Sequence, residues 1–184
     1  MSTKDKILAT AFMLFARQGF EATGVNQIVS KAKVTKGALY HHFSSKDELL
    51  LAVIDYIQEA GREQLQFQAK NKTDFKKKLL DFSQTHQNFI RKNADLLNFN
   101  LELLMLARKN ADLKKTILAK SDESLQIIVS IVEQGKAYGY FSNQDPKLLV
   151  LKIVMMLKSM GIFFSMGIKE DYTSVWKSFV GDVL

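Results

Sequence analysis

A single proline interrupts 184 residues, at position 146, and no run of alternating apolar and polar residues bounded by turn signals occurs anywhere. Apolar side chains recur instead at helical spacing. Ile7, Leu8, Ala11, Phe12 and Phe15 form one stripe, and Gly19 closes it as a C-terminal cap would. Val25, Ile28, Val29 and Ala32 make a second, barely two turns long. Thr35 offers an oxygen to cap a third helix, with Leu39 and Phe43 one turn apart on its inner face. Ser45 caps a fourth, with Glu48 three residues on as capping-box partner, and this helix is expected to run to about residue 70. Longer helices are predicted to start at Thr73 and Asp95, and another to carry Leu125, Ile128, Val129 and Val132. That one ends in GKAYGYF, where Gly135 and Gly139 are expected to relax the chain. Asp145-Pro146 is a cap followed by proline at the first helical position, and a last helix is predicted over about 172–183. The fold class is therefore all-α.

Composition bounds the rest. With 47% apolar residues the chain can build a core, and its length suits a small domain joined to a larger one. It has no cysteine, which excludes disulfides, thiolate metal sites and a thiol nucleophile, and fits a reducing, cytoplasmic setting. The apolar run at 148–168 contains Lys152 and Lys158, each costing about 2.5–3.5 kcal/mol near a bilayer centre. It reads as a core or interface helix, and no membrane partner is expected. Of the +7 net charge, +5 falls in residues 1–46, where seven basic side chains face two acidic ones. A basic head on a near-neutral body suits phosphate binding.

The head is specific in pattern. Two short helices joined by Lys33-Val34 inside a basic three-helix unit describe a helix-turn-helix. Gly37 and Ala38 leave little bulk where the second helix would approach DNA, and Thr35 suits a phosphate oxygen. Lys36 must point outward because Leu39 and Phe43 point in. Tyr40, His41 and His42 sweep the remaining outer arc, and Lys46 could grip the backbone from the side. Adjacent helical histidines face about 100° apart, so a shared metal ion is not expected. No phosphate-binding glycine loop, G-x-S-x-G or H-E-x-x-H is present, so neither catalysis nor a cofactor is expected.

Residues 3–54 resemble the DNA-binding domain of the TetR family of transcriptional regulators, through ILATAFMLFARQGF, TGVNQIVSKAKV and TKGALYHHFSSKDELLLAVI. The remainder is similar only in architecture. The resemblance implies phosphate contacts from Thr23 and Gly24, base or near-base contacts from Thr35, Lys36, Gly37, Ala38 and His41, and phosphate contacts from Tyr40, His42 and Lys46. The chain departs from the family at Lys33, where glycine is usual, and at Val29, where alanine is common. A DNA-binding domain is thus expected over residues 1–46 and a ligand-binding and dimerisation domain over 47–184, the helix from about 46 to 70 being shared. Expected partners are a palindromic double-stranded DNA operator, a second copy of the chain through helices at 146–167 and 172–183, and a small, apolar effector that releases the DNA. Phe163 and Val180 are the expected interface positions. Candidate effector contacts are Phe67, Phe82, His86, Phe89, Phe99, Glu102, Met105, Met156, Met160 and Phe163, with Met155 and Phe164 as further candidates, because methionine and phenylalanine fill irregular space adaptably.

Overall fold

The computed structural model describes the backbone of every residue except 65, 66, 169 and 171, and all side chains but those and 62–64, 121–124, 164 and 165. Among the described residues the regular structure is entirely helical. The order is α1 (Thr3–Gln18), α2 (Val25–Ala32), α3 (Lys36–His42), α4 (Lys46–Gln64), α5 (Lys72–Lys92), α6 (Ala94–Lys109), α7 (Ala111–Ala137), α8 (Pro146–Ser165) and α9 (Thr173–Val183). No helix among the described residues is long and apolar enough to cross a membrane.

Starts and stops follow local chemistry. Ser2 and Asp5 form a reciprocal capping box on α1, and the two hydrogen bonds from Ser2 hold the Asp5 carboxyl below its usual range. Thr35 Oγ1 accepts from Ala38 N at 3.1 Å, and Ser45 Oγ accepts from Glu48 N at 3.0 Å. The Glu48 carboxylate reaches one residue further back than a capping box requires, to Ser44 N at 2.7 Å. Asp145 Oδ1 accepts from Lys147 N and Leu148 N at the start of α8. Helix α4 stops at Gln64 rather than near 70, and Asn71, not Thr73, caps α5 by accepting from Asp74 N at 2.9 Å.

Two compact units emerge, and they divide the chain differently from a cut at residue 46. The first comprises Met1–Glu63 with Asp95–Lys115, the second Gln64–Ala94 with Thr116–Leu184. In the first, α1, α2 and α3 pack on one another around Ile7, Ala11, Phe15, Ile28 and Leu39, all fully buried. Helix α6 joins this unit through three ties no local pattern announces. Phe99 meets Phe12 edge-on at 5.5 Å, Arg17 makes a forked pair with Asp95 at 2.8–3.1 Å, and Glu102 Oε1 accepts from Phe20 N at 2.7 Å.

The second unit has its own core of Phe75, Leu79, Phe82, Ile131, Leu149, Ile153, Trp176 and Val180. Helix α5 packs on α8 and α9, and the Trp176 indole donates to Leu79 O at 2.6 Å. Gly135 does not relax the chain, since α7 continues through it to Ala137. It makes room: a Cβ there would lie 2.7 Å from Phe75 Cζ and closer still to the Phe141 ring. Gly139 does turn the chain, at φ +79°. Val180, expected at an interface, is fully buried in this core.

Candidate nucleic-acid interface

Helix α3 is seven residues long and is held by its inner side chains. Leu39 is fully buried and Phe43 nearly so, which turns Thr35, Lys36, Gly37, Tyr40 and His41 to solvent. Ala38 and His42 are half-buried at the rim of that face. Tyr40 keeps 46% of its surface exposed, and Lys36 Nζ lies 5.9 Å from its ring centroid. The His41 and His42 rings meet edge-to-face at 5.2 Å. The result is a surface with one fixed cation, a phenol and two imidazoles, presented on a backbone that Gly37 and Ala38 leave bare.

The turn before α3 departs from the usual glycine at a physical cost. Lys33 ends α2 in the left-handed conformation (φ 55°, ψ 47°), its N–H bonded back to Ser30 O and Val29 O. A side chain in that region costs about 1–2 kcal/mol. The buried Ile28, Ala32 and Leu39 on either side of the turn hold the chain to it.

Two residues expected at phosphates are committed elsewhere. Thr23 is 1% exposed; its Oγ1 donates to Gly19 O at 2.7 Å and accepts from Gln18 Nε2 at 3.1 Å. Its side chain is therefore spent on closing the loop after α1. Lys46 is half-buried, with Nζ donating to Phe20 O at 3.0 Å and Thr23 O at 3.3 Å, and lying 4.3 Å over the Phe20 ring. An ammonium near two carbonyl dipoles and a ring face is well satisfied there. It braces the loop on which Gly24 opens α2. Gly24 itself remains exposed.

The candidate effector contacts separate into two groups. Phe67, Phe82, Met156 and Met160 all belong to the core cluster of the second unit, with Phe82 and Met160 buried and the other two partly so. Phe89 and His86 are half-buried on the same α5. Phe99 and Glu102 lie instead in the first unit, where their side chains meet Phe12 and Phe20 N. Met105, in the same unit, is 53% exposed. Phe163 is 39% exposed and stacks on Tyr172 at 6.0 Å, and Met155 is 63% exposed. Phe164 lies outside the described side chains. Burial pushes the His86 imidazole down from 6.5 to about 4, so the ring is neutral near pH 7.

Sequence reasoning missed the ties that hold the loop after α1: Arg17 to Asp95, Glu102 to Phe20 N, and Gln18 to Gln27 at 2.7 Å. The one available signal was Glu102 itself, an acid set between Leu101 and Leu103 in α6.

Comparisons agree with this geometry. Residues 7–53, from the first buried residue of α1 into α4, match the family described as bacterial regulatory proteins, tetR family. The HTH-type transcriptional repressor NicS of Pseudomonas putida is 26% identical over 173 residues, 89% of this chain and 76% of that one. A Bacillus subtilis relative reaches 45% identity, but over 53 residues, 29% of this chain and 18% of its own length. Among solved structures, the fatty acid degradation regulator FadR from Bacillus halodurans superposes with a TM-score of 0.78 at 21% identity, over 98% of this chain and 94% of that one. FadR from Bacillus subtilis, in complex with stearoyl-CoA, does so with a TM-score of 0.71 at 19% identity, over 96% and 95%.

Proposed function

This chain belongs to the TetR family of bacterial regulatory proteins, DNA-binding regulators of transcription and not enzymes, and from that premise we propose that it is a repressor released from its operator by a small molecule. The observation that carries the DNA-binding part is the outward face of α3. Lys36, Tyr40 and His41 stand exposed on a helix whose opposite side is locked by Leu39 and Phe43. In the proposed complex this face enters a major groove. Lys36 and His41 meet base edges or the adjacent phosphates, Gly37 and Ala38 permit close approach, and Thr35, Tyr40, His42 and Gly24 contact the backbone.

One head reads too few base pairs for a specific site, so two copies are required. Their proposed contact is the apolar face of α8 and α9. Leu148, Leu151 and Met155 are 50%, 53% and 63% exposed at helical spacing on α8, and Val175 is 58% exposed on α9. Pairing these faces between two copies gives a four-helix interface and sets the heads about 34–36 Å apart, one DNA turn, on a palindromic operator.

The proposed effector is apolar and binds in the second unit, among Phe67, Phe82, His86, Phe89, Met156 and Met160. An effector acts only through different affinities for the DNA-bound and released shapes. The chain passes between the two units after Glu63, Ala94 and Lys115, which gives a change in the second unit three covalent routes to the first. Selection of bound sites from random double-stranded DNA tests the central proposal. Recovery of an inverted repeat with centres one turn apart supports it, and enrichment of no sequence refutes it.

A further inference from the structure

Helix α5 carries two buried polar atoms that find no partner among the described residues. Ser83 is fully buried, and its Oγ makes no hydrogen bond; His86 Nδ1 is likewise buried and unbonded. Three residues apart on one helix, they share a face. A helical serine ordinarily turns its hydroxyl to the carbonyl four residues back. Here that carbonyl, Leu79 O, takes the Trp176 indole N–H at 2.6 Å. One turn further on, Gln87 is satisfied by Thr173 Oγ1 at 3.1 Å. The α5–α9 seam is therefore stapled on both sides of Ser83, while the hydroxyl and the imidazole between the staples are left over. Native cores rarely tolerate such groups, because each forfeits its water without replacement.

The surroundings restrict what could satisfy them. The two atoms sit on the helix that contributes Leu79 and Phe82 to the apolar cluster holding Trp176 and Met160. Among the described residues of this unit, Ser83 and Gln87 are the buried polar ones, and no charged side chain is buried there. Glu102, the one acid among the candidate effector contacts, is bound to Phe20 N in the other unit. An ionic head would enter with no countercharge, which is strongly unfavourable in an apolar core.

We propose that Ser83 Oγ and His86 Nδ1 anchor the effector, and that it is an uncharged, largely apolar molecule presenting one hydroxyl or carbonyl oxygen. The inference rests on the effector reading above and narrows it to a chemical class. A hydroxyl both donates and accepts, and a neutral imidazole supplies whichever role its tautomer leaves open. A carbonyl accepts from the serine and from an Nδ1–H.

Four probes of equal chain length test it on the full-length protein at pH 7.5: octan-1-ol, 1-chlorooctane, octanoate and octyltrimethylammonium. Binding is read by titration calorimetry and by the fluorescence of Trp176, the single tryptophan. Octanol is expected to bind most tightly. Ser83→Ala and His86→Phe are each expected to weaken octanol about five- to tenfold, the worth of one neutral hydrogen bond, and to leave chlorooctane unchanged. Circular dichroism checks that each variant is folded, and either variant alone suffices. Octanoate or the ammonium binding as tightly as octanol, or unchanged octanol affinity in a folded variant, overturns the anchor and leaves an apolar effector site standing. Binding of none of the four overturns that site as well.

Discussion

The buried imidazole of His86 makes the stability of the second unit depend on pH in a defined window. Burial lowers its pKa from 6.5 to about 4. The unfolded chain therefore takes up a proton as pH falls through 6.5, while the folded chain does not until about 4. Stability is highest above pH 6.5, declines between 6.5 and 4, and is constant in this term below that. At about 1.4 kcal/mol per unit the full loss is about 3 kcal/mol, an upper value because the ring is only half-buried. The assay is urea unfolding followed by Trp176, which is 1% exposed in the same unit and reports on it directly. Wild type and His86→Phe are compared at fixed protein concentration at pH 7, 5.5 and 4.5. Carboxylates titrate equally in both chains, so the difference isolates His86. The variant is expected to gain on wild type by about 2 kcal/mol between pH 7 and 4.5. Parallel curves for the two proteins, or a titration midpoint near 6.5 for the one imidazole resonance that disappears in His86→Phe, would refute the burial on which the reasoning rests.

Replacing Lys36 by alanine is expected to lower the slope of log affinity for operator DNA against log salt by about 0.9, with no change in melting temperature. Lys46→Ala should do the reverse, leaving the slope unchanged and destabilising the first unit by about 1–2 kcal/mol as Phe20 O and Thr23 O lose their donor; a reduced slope for Lys46→Ala would return it to the phosphate contacts. Lys33→Gly relieves the left-handed backbone at φ 55° and is expected to stabilise the first unit by about 1 kcal/mol in thermal or urea unfolding, whereas a loss would mean that the side chain itself matters. Gly135→Ala drives a methyl into Phe75 and Phe141 and should cost about 1–3 kcal/mol in urea unfolding read at Trp176. Met155→Glu alters a residue 63% exposed in the folded chain, so helicity should persist while light scattering reports a monomer and operator affinity collapses; a dimer that persists rules out the α8 face.

Most helix starts were legible because a cap is satisfied within three residues of itself. Thr35 with Ala38, Ser45 with Glu48 and Asp145 with Leu148 need nothing from the rest of the chain. The inner and outer faces of α3 were legible for a similar reason: Leu39 and Phe43 are one turn apart, and burying them leaves Lys36, Tyr40 and His41 no other direction. Helix ends were harder. Nothing apolar or polar in residues 64–70 forbids a helix, yet Ala69 N bonds to Gln134 Oε1 at 3.0 Å and Tyr138 donates to Ala69 O. A partner some 65–69 positions away ends what local propensity would have continued.

The sequence by itself determined the all-helical class, the helix-turn-helix and the outward face of α3, since each follows from periodicity and caps within a few residues. The tertiary structure alone decided which polar groups remain available. Lys36 and Lys46 are alike in composition and ten positions apart, but one stands in solvent and the other is held by Phe20 and Thr23. Glu102 and His86 stood together as the polar candidates among the expected effector contacts, yet Glu102 is bonded to Phe20 N and His86 Nδ1 to nothing described. A side chain's charge and shape are written locally. Whether it is spent depends on what a distant segment brings within about 3 Å of it, and that distance exists only once the chain has folded.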